Sequence, residues 1–168
     1  MLAALPCYSF QVNSKVDSLQ ALLQITTDTN RVNLLNELGK QFWMSQPDSA
    51  RLYTKEALNE SKKINYPKGE AEALRIIGWS YYYENNEVQA KSYMNKAVLI
   101  FEQIAFEPGL AAALNNLGAI NSKSGDYAEG LQASQRALLI FQRLGNQEAI
   151  GSVLNYIGVN YQNTGNYD

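Results

Sequence analysis

Apolar residues recur along most of this chain at intervals of three and four, in stretches broken by short polar segments, which is the signature of amphipathic helices. Within that pattern one frame returns four times: "LLNELGKQFW", "ALRIIGWSYY", "ALNNLGAINS" and "VLNYIGVNYQ" each place Leu four residues before a glycine and Leu or Ile directly before it. The glycines are Gly39, Gly78, Gly118 and Gly158, so the steps are 39, 40 and 40 residues. A fixed period of this size means stacked supersecondary units. A second frame follows each of the first three: "ARLYTKEAL", "AKSYMNKAV" and "GLQASQRAL" set small residues seven apart, at Ala50 and Ala57, Ala90 and Ala97, and Gly130 and Ala137.

The pattern predicts a lead-in helix over about 15–25 and helix pairs at 28–44 with 47–64, 68–84 with 87–106, and 108–124 with 127–144. A last helix is expected at 147–164. Pro47, Pro67 and Pro108 fall at helix starts, where a missing N–H costs nothing, and Gly125, Gly145 and Gly165 fall just past helix ends, where a left-handed cap is favoured. A glycine inside a helix costs about 1 kcal/mol relative to alanine. Its return at one register implies that the two helices of a unit approach closely there, with small residues opposite. On that basis Gly118→Leu should overpack the pair and Gly118→Ala should be tolerated.

These residues resemble the tetratricopeptide repeat, whose unit carries a Leu-Gly pair, an aromatic three residues later and small residues in its second helix. Phe42, Tyr81 and Tyr161 take the aromatic place, and Asn121 departs from it. The period is longer than the usual one of about 34 residues. The resemblance implies an all-α fold, a right-handed solenoid of stacked antiparallel helix pairs, with units at 28–64, 67–106 and 108–144 and the first helix of a fourth at 147–164. The array as a whole takes in 14–168. A second resemblance begins upstream, in "KVDSLQALLQITTDTNRVNLL…PDSARLY". It is similar to the repeat-bearing N-terminal sensor region of bacterial histidine kinases, nucleotide cyclases and helix-turn-helix regulators.

Composition narrows the chemistry. The net charge is −2, with no block of basic residues that could follow a phosphate backbone, so nucleic acid is not expected as a partner. There is no histidine, and Cys7 is the single cysteine, which removes the usual general base and the usual zinc ligands. Gly39-Lys40 fails as a phosphate loop, since Leu34 stands where its first glycine belongs and Gln41 follows the lysine. The carboxylates are scattered singly. No catalytic residue, metal site or cofactor is therefore expected in this chain. The opening "MLAALPCYSFQ" is too short to span a membrane. Its Cys7-Tyr8-Ser9 resembles the small-x-small end of a secretory leader, so residues 1–13 are read as the remnant of a leader or as a flexible N-terminus.

In tetratricopeptide proteins the first helix of each pair forms the inner face. By helical spacing the candidate binding stripe comprises Asn36, Lys40 and Trp43; Arg75, Trp79 and Tyr82; Asn115; and Asn155. Asn36, Arg75, Asn115 and Asn155 are equivalent positions and could hydrogen-bond an extended peptide backbone, with the aromatic residues adding flat apolar surface at one end. Alternatively the asparagines bond between neighbouring units, Glu72 and Arg75 form an ordinary i, i+3 pair, and the aromatics pack between units.

The expected function is a non-catalytic module for protein–protein interaction or sensing, the extracytoplasmic, periplasmic part of a larger bacterial signalling protein with its output domain downstream. The alternatives are a stand-alone scaffold holding an extended peptide in its groove, and a cytoplasmic location. The expected partner is a protein or peptide, with no membrane insertion by the repeats. The chain reads as truncated before the second helix of its fourth unit. Leu154, Ile157 and Tyr161 would then face the missing helix and favour self-association through that end.

Overall fold

The computed structural model describes the backbone of residues 7–164 and the side chains of residues 15–164. The described residues form eight helices: α1 (Cys7–Leu23), α2 (Asp28–Phe42), α3 (Pro47–Lys63), α4 (Pro67–Tyr83), α5 (Glu87–Gln103), α6 (Glu107–Ser124), α7 (Tyr127–Arg143) and α8 (Gln147–Thr164). From α2 on, their limits lie within three residues of the sequence reading. The lead-in helix starts earlier, at Cys7, and takes in much of the segment read as a leader remnant or flexible terminus. Residues 1–6 and the expected cap at Gly165 lie outside the described residues.

The connections explain the period. After α3, α4, α5, α6 and α7 the chain turns through a left-handed residue at Asn65, Asn85, Ala105, Gly125 and Gly145, twenty residues apart each time. Each turn closes with one further backbone bond: the N–H of Tyr66, Asn86, Phe106, Asp126 and Asn146 donates to the carbonyl of Ser61, Tyr81, Phe101, Asn121 and Phe141 at 2.8–3.0 Å. This is the Schellman closure, which satisfies carbonyls that a helix end would otherwise leave bare. The α2–α3 connection, residues 43–46, has no left-handed residue, and Ala50 follows Gly39 by 11 residues where Ala90 and Gly130 follow Gly78 and Gly118 by 12, which accounts for the single step of 39.

Neighbouring helices pack in chain order, and the backbones of α2, α4, α6 and α8 also approach one another in sequence, whereas those of α3, α5 and α7 do not. The first helices therefore make one continuous layer. Each pair crosses at its glycine. A Cβ placed on Gly39, Gly78 or Gly118 would lie 3.3, 3.1 or 3.2 Å from the carbonyl oxygen of Ala50, Ala90 or Gly130, the small residues picked out by the second frame. The tolerance expected for alanine at Gly118 needs correcting. Its methyl would also fall inside contact distance of the buried Ser134 hydroxyl, so the serine must rotate away.

Gly158 differs from the other three, with no described residue within 4 Å of where its Cβ would stand. On the same helix Leu154 and Tyr161 are 51% and 39% exposed and Ile157 is half-buried. Between units, charged side chains on the second helices form bridges to the adjoining unit. Arg51 grips the Glu84 carboxylate through both terminal nitrogens at 2.7 Å, while Lys91–Asp126 and Arg136–Glu102 join the units beyond at 2.8 and 2.6 Å. No helix of the described residues is long and apolar enough to cross a membrane.

Candidate functional site

On the layer of first helices a cavity of about 800 Å3 opens between α2, α4 and the start of α6. The equal spacing of the units sets its walls. Asn36 and Lys40 stand one turn apart on α2, and Lys68, Glu72 and Arg75 follow one another along one face of α4. Leu34, Phe106, Pro108 and Ala112 supply apolar surface. A small cluster of polar groups in a mostly apolar hollow is the usual form of a binding site.

Of the eight candidate residues, this cavity brings together Asn36, Lys40 and Arg75. Asn36 is 2% exposed; its Nδ2 donates to the Gly69 carbonyl of the next unit at 3.0 Å, and its Oδ1 has no partner among the described residues. Arg75 does not extend a ladder. It donates to Glu72 through Nε at 3.1 Å and Nη2 at 2.7 Å, and Lys40 Nζ meets the same carboxylate at 2.5 Å. Burial alone would push the Glu72 carboxyl upward, but the charges and hydrogen bonds of Arg75 and Lys40 outweigh it and hold it at about 2.

The remaining candidates lie elsewhere. Trp79 is 8% exposed and stacks on Tyr82, ring centroids 4.4 Å apart and planes within 4°, with Tyr83 edge-on to both. Trp79 thus belongs to the core, with the half-buried Tyr82 packed over it. Trp43 packs against the same core, 5.7 Å from the Arg75 guanidinium. Asn115 lines a smaller cavity of about 400 Å3, where it donates to Ser152 of the next unit at 3.4 Å and keeps a buried, unpartnered Oδ1. Asn155 is exposed. The asparagines thus reach between units, though to a backbone carbonyl and a serine rather than to one another.

Two of the wall residues outside that candidate set, Lys68 and Phe106, bear on its chemistry. Lys68 places its ammonium 4.4 Å from the centre of the Phe106 ring. Lys68 precedes Arg75 by seven residues on one helix face, which the spacing does encode. Phe106 belongs to the turn after α5, and its place in the cavity depends on how that turn folds back.

An array of antiparallel helix pairs with a continuous layer of first helices is the class that this geometry defines. Residues 109–168, which run from the third residue of α6 past the end of α8, match the tetratricopeptide repeat family. No curated protein matches the sequence. Among solved structures the chain is similar to BtubC (BKLC) from P. vanneervenii, with a TM-score of 0.77 at 17% identity over 94% of this chain and 69% of that one. It is also similar to a Podosopora anserina protein described as a putative kinesin light chain with nearly identical TPR-like repeats, with a TM-score of 0.68 at 15% identity over 95% of this chain and 82% of that one. A point variant of the latter gives 0.69 at 16%, over 95% and 81%. At these identities the likeness establishes the fold.

Proposed function

We propose that this chain is a non-catalytic interaction module that holds an extended segment of a partner protein along the layer of first helices, with the cavity between α2, α4 and α6 as its main seat. The observation that carries this is Asn36. Its buried, unpartnered acceptor stands in the wall of a large, mostly apolar cavity, beside the donors of Lys40 and Arg75. A buried amide acceptor left open is costly, and a backbone N–H from a ligand would satisfy it. The test is peptide binding by the full chain and by Ala112→Trp, which puts an indole into the cavity mouth. Retention of the helical circular dichroism with loss of binding is the expected result. Binding unchanged by the tryptophan would remove the seat from this cavity.

The module fits the N-terminal sensor part of a larger bacterial signalling protein, with an extracytoplasmic location. Support comes from the resemblance of the segment starting at Lys15, and from α1, whose Val16 and Leu23 are buried against α2 as an integral lead-in to the array. The gene answers this directly. A membrane span and a kinase, cyclase or regulator pattern downstream are expected; a stop codon after further repeats would make the protein a free-standing scaffold.

A further inference from the structure

The cavity wall already contains an anion, and its position has a consequence for the ligand. Lys40 and Arg75 are the cations that an acidic segment would use, and one carboxylate engages both. Glu72 Oε1 accepts from Lys40 Nζ at 2.5 Å and Arg75 Nη2 at 2.7 Å, and Oε2 accepts from Arg75 Nε at 3.1 Å. The Glu72 side chain is 21% exposed. An incoming carboxylate that displaced it would leave a largely buried charge without counter-charges, and one that bound beside it would face a like charge across a few ångströms.

Other groups stay open. Arg75 Nη1 and the remaining Lys40 protons make no hydrogen bond among the described residues, and Asn36 Oδ1 offers an acceptor next to them. Adjacent donors and an acceptor are the complement of a peptide unit, which offers one carbonyl and one N–H. Of the other charges on the wall, Glu37 is bonded to Lys15 at 3.0 Å, and Lys68 keeps its charge two turns before Arg75 on α4, with its ammonium held over the Phe106 ring.

We propose that Glu72 is the specificity-determining residue of this seat: as a resident carboxylate on Lys40 and Arg75, it turns the cavity from acidic segments toward uncharged ones read through their backbone amides. The inference rests on the peptide-binding reading above. It assigns the ligand as an extended, apolar-to-neutral segment, whose side chains meet Leu34, Phe106 and Ala112 while its backbone meets Asn36 and Arg75. Removing the resident charge frees two cations without changing the shape of the wall.

The test pans a random dodecapeptide display library against the full wild-type chain, Glu72→Gln and Ala112→Trp. The wild-type pool should keep the net charge of the input library, while the Glu72→Gln pool should gain Asp and Glu. For a selected peptide, one Gln→Glu change facing the cavity should favour Glu72→Gln over wild type by about tenfold. An acidic wild-type pool, or identical pools, would overturn the proposal. Should Glu72→Gln lose its helical circular dichroism, the wild type decides alone: the same Gln→Glu peptide must bind it no more tightly, and tighter binding sinks the idea. Enrichment that survives Ala112→Trp unchanged points elsewhere, to failure of the cavity as the seat, and this inference falls with it.

Discussion

In unit two Tyr81 of α4 stacks on Tyr93 of α5 with ring centroids 5.6 Å apart, whereas unit three has Asn121 and Ala133 in the same two places. Unit one follows the aromatic plan, with Phe42 on Tyr53 at 5.8 Å. One step along the second helix, Met94 of unit two becomes Ser134 of unit three, and both are fully buried. The helices nevertheless cross at the same glycine, with the same carbonyl beneath it. The crossing is therefore set by backbone meeting backbone, and the flanking volume can be filled in more than one way. Unit three closes up through a second glycine, Gly130, under a bond from Ser122 Oγ to Asn160 Oδ1 of α8. Its polar filling is imperfect: Asn121 Oδ1, Ser134 Oγ and Asn116 Nδ2 are buried without partners among the described residues.

The sharpest way to break this comparison is to enlarge the crossing itself. Gly78→Leu meets the Ala90 carbonyl, the Met94 N–H and the Tyr93 Cβ, none of which can rotate away, and should destabilise by about 3 kcal/mol or more. Gly118→Leu should cost somewhat less, because the Ser134 hydroxyl can turn aside. Urea titration of the two variants checks the order, and equal wild-type-like midpoints would refute the role of the crossing.

The second contrast lies on the inner layer, where Glu72 and Arg75 of unit two become Ala112 and Asn115 of unit three. The Glu72 carboxyl lies below its ordinary value of 4.5, at about 2. Its contribution is therefore complete above about pH 4.5 and is lost as the pH falls toward 2. The amount is about 3 kcal/mol by linkage. Stability measured between pH 7 and pH 2.5 should fall less steeply in Glu72→Gln, and parallel curves would contradict the assignment.

Smaller effects test the filling. Asn121→Leu replaces a buried amide with an unpartnered oxygen by an apolar side chain of similar size, and should raise stability by about 1 kcal/mol. Gly158→Ala should also stabilise, by up to about 1 kcal/mol, because no neighbour meets its Cβ and only the helix propensity changes. A loss at Gly158 would show that another chain approaches it in solution. Smallest of all, Ala105→Gly relieves a left-handed alanine between the two units, for a net gain of about 0.5 kcal/mol after the greater chain entropy of glycine. Thermal melts resolve all three.

The helices were legible because the period, the prolines and the small residues all state one register. The left-handed turns were legible only where glycine marks them, at Gly125 and Gly145; Asn65 and Asn85 are weaker signals of the same geometry, and Ala105 gives none. For the site, Asn36, Lys40 and Arg75 followed from helical spacing. What spacing did not convey was depth. Trp79 and Tyr82 share a face, and their mutual stacking, one turn apart, buries Trp79 in the core beneath a half-buried Tyr82. The Lys40–Glu72 pair joins positions 32 residues apart, and it forms because α2 and α4 lie side by side in the inner layer.

Among the described residues, no helix touches another more than two places away in chain order, and the longest side-chain hydrogen bond joins residues 41 apart, Lys123 to the Tyr82 carbonyl. The loops to be closed during folding are therefore all short, and their entropy grows only slowly with length. Such a chain has low contact order, which places it among the fast folders, and folding can start at any pair and spread. The same locality governs failure. Under pulling or gentle heating the array should unzip from its ends, one helix pair after another, while the interior pairs keep their amide protons protected from exchange with solvent.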